Sequence, residues 1–199
     1  MSDHDHGRRL FLAGLLTAGF GGLSLPVLGA REANAQAVLA PTPACDDGDE
    51  PTPRQTEGPF FTPDSRERSM LREAGMAGSP ITLAGIVLTR SCRPVPDALV
   101  ELWHADDSGA YDNVGYRFRG HQFTDGEGRY AFETIVPGLY PGRTRHFHLK
   151  FQARERPVLT TQFYFPGEQG NARDGIFDPR LLLEIDGGVA RYATVLDLS

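Results

Sequence analysis

Lysine is almost missing from this chain: of its 20 lysines and arginines, only Lys150 is a lysine. There is one tryptophan, Trp103, and there are two cysteines, Cys45 and Cys92. Neither cysteine sits in a CxxC or Cys–His spacing, which removes the usual sequence signs of a redox pair or a zinc site. Amphipathic helical periods are nearly absent after the first 35 residues. Positive charge is in deficit too. The 20 basic residues stand against 26 acidic ones, a formal net charge of -6, which argues against nucleic acid or an anionic membrane surface as the main partner.

The long apolar run that does exist is N-terminal. "GRRLFLAGLLTAGFGGLSLPVLGA" places Arg8-Arg9 directly before a Gly-containing apolar stretch, and Ala33-Asn34-Ala35 offers small residues for cleavage. The stretch resembles a twin-arginine export signal, the bacterial route for already folded proteins. Residues 1–35 are read as this leader, with a mature periplasmic or secreted chain from Gln36 and no membrane contact after cleavage. An uncut leader serving as an anchor is the alternative. What remains of the 199 residues suffices for one domain with a core. In an oxidising compartment an even pair of cysteines is expected to be joined. A Cys45–Cys92 bridge would contribute roughly 4 kcal/mol if unstrained.

Residues 36–80 are rich in Pro, Asp, Glu, Gly and Arg with little periodicity, and are expected to form an arm over the core. Within them "RERSMLREAGM" is the one candidate short helix. From Ile81 the texture changes. "ITLAGIVLT", "DALVELWHA", "RYAFETIV", "HFHLKFQA", "VLTTQFYF" and "ARYATVLDL" read as strands, separated by Pro and Gly clusters. Six or more short strands predict a mainly β protein, an antiparallel prealbumin-like β-sandwich over 81–199. "TDGEGRY" has too few acidic positions for a calcium loop and is read as a hairpin turn.

One stretch asks for chemistry. "PGLYPGRTRHFHLKF", Pro137 to Phe151, runs a Tyr- and Arg-bearing loop into a strand. Alternation places Phe147, Leu149 and Phe151 on one face, facing a core. His146 and His148 share the other, side by side, as a solvated face would not require. The remaining histidines in "LWHAD" and "RGHQF", His104 and His121, suit structural hydrogen bonding. Tyr116, Tyr130, Tyr164 and Tyr192 are read as packing residues with their hydroxyls at the surface.

Tyr111 in "DSGAYDN", Tyr140 in "PGLYPG" and the pair in "HFHLKF", with "TEGPFF", "LWHAD", "RGHQFTD" and "TTQFYF", make the chain similar to the intradiol ring-cleavage dioxygenase family over roughly Gln55 to Gly167. The long helical N-terminal domain of the catechol-type enzymes is absent from this sequence, and the segment between Tyr140 and His146 is short. The resemblance implies a non-haem Fe(III) held by Tyr111, Tyr140, His146 and His148. It implies as substrates O2 and a catechol-type diol, cleaved between its hydroxylated carbons to a muconate-type dicarboxylate. Phenolate oxygen and imidazole nitrogen suit hard ferric iron better than sulfur does, and a bound metal deprotonates a tyrosine whose free pKa is about 10.

By the same resemblance Tyr140 is the axial ligand that accepts a substrate proton. His148 is then the axial histidine, with Tyr111 and His146 equatorial. Arg143 matches the family's active-site arginine, whose fixed charge stabilises anionic character on the ring. Gln162 matches a residue near the oxygen side, and Gly58, Pro59, Phe60 and Trp103 are expected as pocket walls. Two rival readings remain: a non-catalytic prealbumin-like binding module, which explains the turn and core residues but not these tyrosines and histidines, and an iron binder that kept the site without turnover. The particular catechol and the oligomeric state are left open.

Overall fold

The structure is a computed structural model and describes residues 50–199. The expected leader, residues 1–35, and Cys45 lie outside the described residues. Eight strands form among those described: β1 (Pro80–Thr89), β2 (Leu99–Trp103), β3 (Arg119–Phe123), β4 (Arg129–Ile135), β5 (His146–Gln152), β6 (Leu159–Tyr164), β7 (Glu184–Asp186) and β8 (Val189–Leu196). A 3-10 turn at Pro179–Leu181 is the one helical element among them. Six of the strands fall on the apolar runs read from the sequence. β3 and β7 are additions. "RGHQF" offers a glycine and two charged or imidazole side chains in five residues, and "EID" is a three-residue edge.

The strands make two four-stranded sheets, ordered β4-β1-β8-β7 and β3-β2-β5-β6. Between them lies one apolar core in which Leu83, Phe132 and Ala190 from the first sheet meet Val100, Leu102, Phe147, Leu149 and Phe151 from the second. The β-sandwich expectation therefore holds, with one departure from a purely antiparallel arrangement. β1 pairs with β8 in parallel, Thr82 against Val189 through Thr89 against Leu196. A parallel pair needs a long crossover, and residues 90–188 lie between these two strands.

The expected helix in 66–76 does not form. Arg68 N–H donates to His121 O at 2.9 Å and His121 N–H to Arg66 O at 3.0 Å, on the β3 edge. Three residues on, Leu71 N–H donates to Glu133 O at 2.8 Å and Glu133 N–H to Ser69 O at 2.9 Å, on the β4 edge. β3 and β4 are edge strands of different sheets, and an uncovered edge presents unpaired backbone groups. Those two edges outbid local helix propensity, which is a weak determinant beside tertiary pairing. The segment thereby ties the two sheets together and drives Leu71, fully buried, into the core. Gly120 makes room for it, since a Cβ there would lie 2.7 Å from Leu71 Cδ2.

Residues 50–56 run along the opposite side. Thr52 N–H bonds Val195 O at 2.9 Å and Gln55 N–H bonds Thr160 O at 2.8 Å, touching both sheets. Cys92 sits in the turn after β1 at φ 57 and is not a free thiol.

If Leu71 closes the sandwich edge, Leu71→Ala should lower unfolding stability by about 2–5 kcal/mol, as other buried leucine truncations do. Urea denaturation measures it. An unchanged midpoint would contradict the account of this segment.

Candidate metal centre

The centre is built on the outer face of the second sheet, and strand register determines who meets whom. Trp103 of β2 lies opposite His148 of β5 and Arg119 of β3, while His148 lies opposite Gln162 of β6. Residues directly opposite share a face, so Arg119, Trp103, His148 and Gln162 form one row across four strands. His146 and Tyr164 form the next row. On the other side, His121, Glu101, Lys150 and Thr160 form a third.

His146 and His148 are buried. Their Nε2 atoms stand 3.0 Å apart, and Tyr111 Oη lies 3.4 Å from His146 Nε2. His146 Nδ1 donates to Thr144 O at 2.6 Å, which assigns the proton to Nδ1 and leaves Nε2 a lone pair. His148 Nδ1 is buried with no hydrogen-bond partner. The pair is therefore unsatisfied alone. If His148 carries its proton on Nε2, its buried Nδ1 lone pair is unmet; if on Nδ1, two lone pairs face each other at contact distance. In the second arrangement a bound cation would relieve the facing Nε2 lone pairs.

Burial keeps both rings neutral, as metal ligands must be. It pushes His146 down to about 4, Arg143 adding to the effect and the Thr144 carbonyl opposing it. Burial also pushes His148 well below the usual histidine range, with His146 and Arg143 as lesser causes. Burial raises the Tyr111 phenol, while Arg143 and Arg119 pull it down. Among the described residues no group of three His, Cys, Asp or Glu is placed to hold a metal ion. A metal here must draw on phenol oxygen.

The second phenol is Tyr140, half-buried before β5. Its ring lies 6.0 Å from that of Tyr111 and 5.2 Å from Phe60. Arg143 N–H closes a turn on Tyr140 O at 3.0 Å. Arg143 Nε donates to Asp174 Oδ2 at 2.8 Å and its Nη2 to Gln162 Oε1 at 2.6 Å. Gln162, whose Nε2 donates to Thr56 O at 2.9 Å, thus orients Arg143. All four expected ligands and Arg143 are brought to one end of the β5 face.

Three of the residues expected as pocket walls lie against the candidate ligands. Phe60 stacks on Tyr111 with centroids 4.5 Å apart, and Trp103 stacks on His148 at 4.9 Å and 12°. Gly58, at φ +72, passes so near that a Cβ would lie 3.3 Å from His148 Cε1. Pro59 is exposed in the turn between them. This arm is held down by the single lysine: Lys150 Nζ pairs with Glu57 Oε2 at 2.5 Å and lies 3.1 Å from the Phe61 ring centroid.

Several participants escaped the sequence reading. Asp174 takes Arg143 and Thr144 N–H, the latter at 3.0 Å, from 30 residues away. It lies in a segment without periodicity. Tyr164 and Tyr130 are buried, correcting their surface assignment. The Tyr164 hydroxyl lies 3.1 Å from Gln162 Oε1 and 3.0 Å from Ile176 O, covered by the segment after β6. The structural reading of His104 and His121 stands. His104 bonds Ala105 O at 2.7 Å and Thr134 Oγ1 at 2.6 Å, and His121 bonds Ser65 Oγ at 3.0 Å. In "TDGEGRY", Asp125 Oδ1 accepts Glu127 and Arg129 N–H, making the hairpin turn.

A family model described as "Dioxygenase" matches residues 56–191. Hydroxyquinol 1,2-dioxygenase of Nocardioides simplex is 33% identical over 145 residues, covering 60% of this chain and 49% of that protein. The Rhodococcus opacus hydroxyquinol 1,2-dioxygenase is 30% identical over 172 residues, covering 72% and 56%. The chain spans about half the length of these curated relatives. Among solved structures, the dioxygenase domain of a dioxygenase–carbohydrate-binding protein fusion from Streptomyces sp. SirexAA-E superposes with a TM-score of 0.73 at 51% identity. It covers 75% of this chain and 100% of that one. The 3-chlorocatechol 1,2-dioxygenase of Rhodococcus opacus 1CP gives a TM-score of 0.67 at 27% identity, covering 74% and 73%.

Proposed function

The chain belongs to the intradiol ring-cleavage dioxygenase family, and from that premise we propose that it binds one ferric ion through Tyr111, Tyr140, His146 and His148 and cleaves a catechol-type diol with O2. The supporting observation is the convergence of two neutral imidazole Nε2 atoms 3.0 Å apart with the Tyr111 hydroxyl, beside a second phenol. When bound, the ferric ion supplies Lewis acidity toward the diol oxygens and a route for electrons from ring to O2. The carbon–carbon bond between the hydroxylated carbons breaks, and both oxygen atoms end in the product's two carboxyl groups. Reaction of diol and O2 is balanced without an external reductant.

The protein's own groups have distinct tasks. Phe60, Trp103 and Gly58 lie against Tyr111 and His148 and serve as walls beside the bound diol. Tyr140 comes from a loop rather than a strand, and serves as the base that takes a proton from the diol. Arg143 keeps its charge and is pre-oriented by Asp174 and Gln162. It stabilises negative charge as it develops on the ring. The catalytic pair is therefore Tyr140 and Arg143.

Isotope-labelled O2 tests the reaction. One O2 should be consumed per catechol, with both labelled atoms in a muconate-type dicarboxylate. Arg143→Ala should retain iron and colour while losing ~10²-fold or more in rate, the scale of one lost transition-state donor. Tyr140→Phe should bind iron and turn over slowly. A product opened beside the diol, bearing one aldehyde, would overturn the mechanism. An iron-loaded protein inert to a broad catechol panel would show an iron binder without turnover.

Export belongs to the same proposal, supported by Arg8-Arg9 and Ala33-Asn34-Ala35. Exported protein should begin near Gln36 and carry a Cys45–Cys92 bridge. Intact mass with and without reductant checks both, and two alkylatable thiols would sink the bridge.

A further inference from the structure

Arg119 is 2% exposed, and its guanidinium has no carboxylate partner among the described residues. Nε and Nη2 both donate to one acceptor, the Asp112 carbonyl, at 3.0 and 2.7 Å. Nη1 is buried with no partner. The Asp112 carboxylate attracts it without touching it, because both oxygens are turned to its own loop. Oδ1 accepts Val114 and Gly115 N–H at 3.1 and 2.8 Å, and Oδ2 accepts Arg117 N–H at 3.0 Å. The other guanidinium at the centre, Arg143, has its counter-charge in Asp174. A guanidinium stays charged inside a protein, and a buried charge calls for an opposite one.

We infer that Arg119 is a positioning residue for the ferric centre: it clamps the peptide next to Tyr111 and supplies the positive charge behind the Tyr111 phenolate. The clamp is direct, since Asp112 follows Tyr111 in the chain and its carbonyl carries both bonds. The position of Arg119 is itself fixed. Its N–H bonds Tyr116 O at 3.2 Å, its carbonyl accepts Arg68 Nε at 3.0 Å, and in β3 it lies opposite Trp103, which stacks on His148. One buried cation thus borders a loop ligand on one side and, through Trp103, a strand ligand on the other. Side chains that orient and charge-balance metal ligands in this way commonly change metal affinity 10- to 100-fold when removed.

The inference rests on the ferric reading above, so its test reads metal uptake rather than turnover. Ferric nitrilotriacetate is titrated into metal-free, full-length protein, comparing wild type, Arg119→Met, Tyr111→Phe and the double variant. Affinity, the position of the tyrosinate charge-transfer band and the thermal midpoint of the metal-free protein are recorded. Arg119→Met should lower ferric affinity about 10- to 100-fold and shift the band, with the metal-free midpoint kept. In the Tyr111→Phe background the same substitution should change affinity less than about threefold, because a coupled pair is not additive. A loss that recurs in full without Tyr111, or wild-type affinity in Arg119→Met, overturns the assignment. Should Arg119→Met not fold, Arg119→Lys carries the cycle under the same criterion, since lysine cannot make both bonds to Asp112 O. A wild type that takes up no ferric ion overturns the ferric reading itself, and is distinguishable because it fails before any Arg119 variant is compared.

Discussion

Two neutral imidazoles held inside the protein with their Nε2 atoms 3.0 Å apart are the constraint on which the rest of the centre depends. In water such a pair would separate or find solvent partners. Here the β5 pleat sets both rings on one face, while Phe147, Leu149 and Phe151 lock the other face into the core. The Thr144 carbonyl takes the Nδ1 proton of His146, Trp103 covers His148, and Gly58 leaves just enough room above it. Each is a way of keeping water out and lone pairs in, the condition under which a cation becomes the best available partner.

The imidazoles come from a strand, whereas both phenols come from loops, and loops need ties. Asp112 knots the Tyr111 loop with its carboxylate and is clamped by Arg119 at its carbonyl. Asp174 binds Arg143 and Thr144 together, fixing the short connection between Tyr140 and His146. These ties also give a physical reason for part of the arginine excess. Arg68, Arg119, Arg143 and Arg145 each hold two or more acceptors or grip one with two donors. A lysine offers a point charge and no planar fork. The one lysine is used where a point charge suffices, over the Phe61 ring and against Glu57.

What could be read from the sequence were features whose physics is local. The alternation in "HFHLKF" separates core from site without knowledge of any other strand, and β-branched or aromatic runs mark six strands. What could not be read depends on distant partners. β3 is a strand because β2 and residues 66–68 flank it, not because "RGHQF" favours one. Residues 66–76 carry helix formers but are captured by two open sheet edges. Asp174, Tyr164 and Arg119 work through contacts with residues 7 to 31 positions away, which no period reports. Tyr111 and Tyr140 are intermediate cases, single residues in glycine-bearing loops whose meaning came from resemblance rather than pattern.

The central claim is that these two phenols and two imidazoles hold one ferric ion, and metal analysis with a visible spectrum of the purified protein tests it most directly. The account predicts near one iron per chain and a broad tyrosinate-to-iron charge-transfer band that is lost with the metal and shifted in Tyr111→Phe. A colourless protein that stays iron-free after exposure to ferric nitrilotriacetate, or a spectrum and iron content indifferent to Tyr111→Phe, would contradict it.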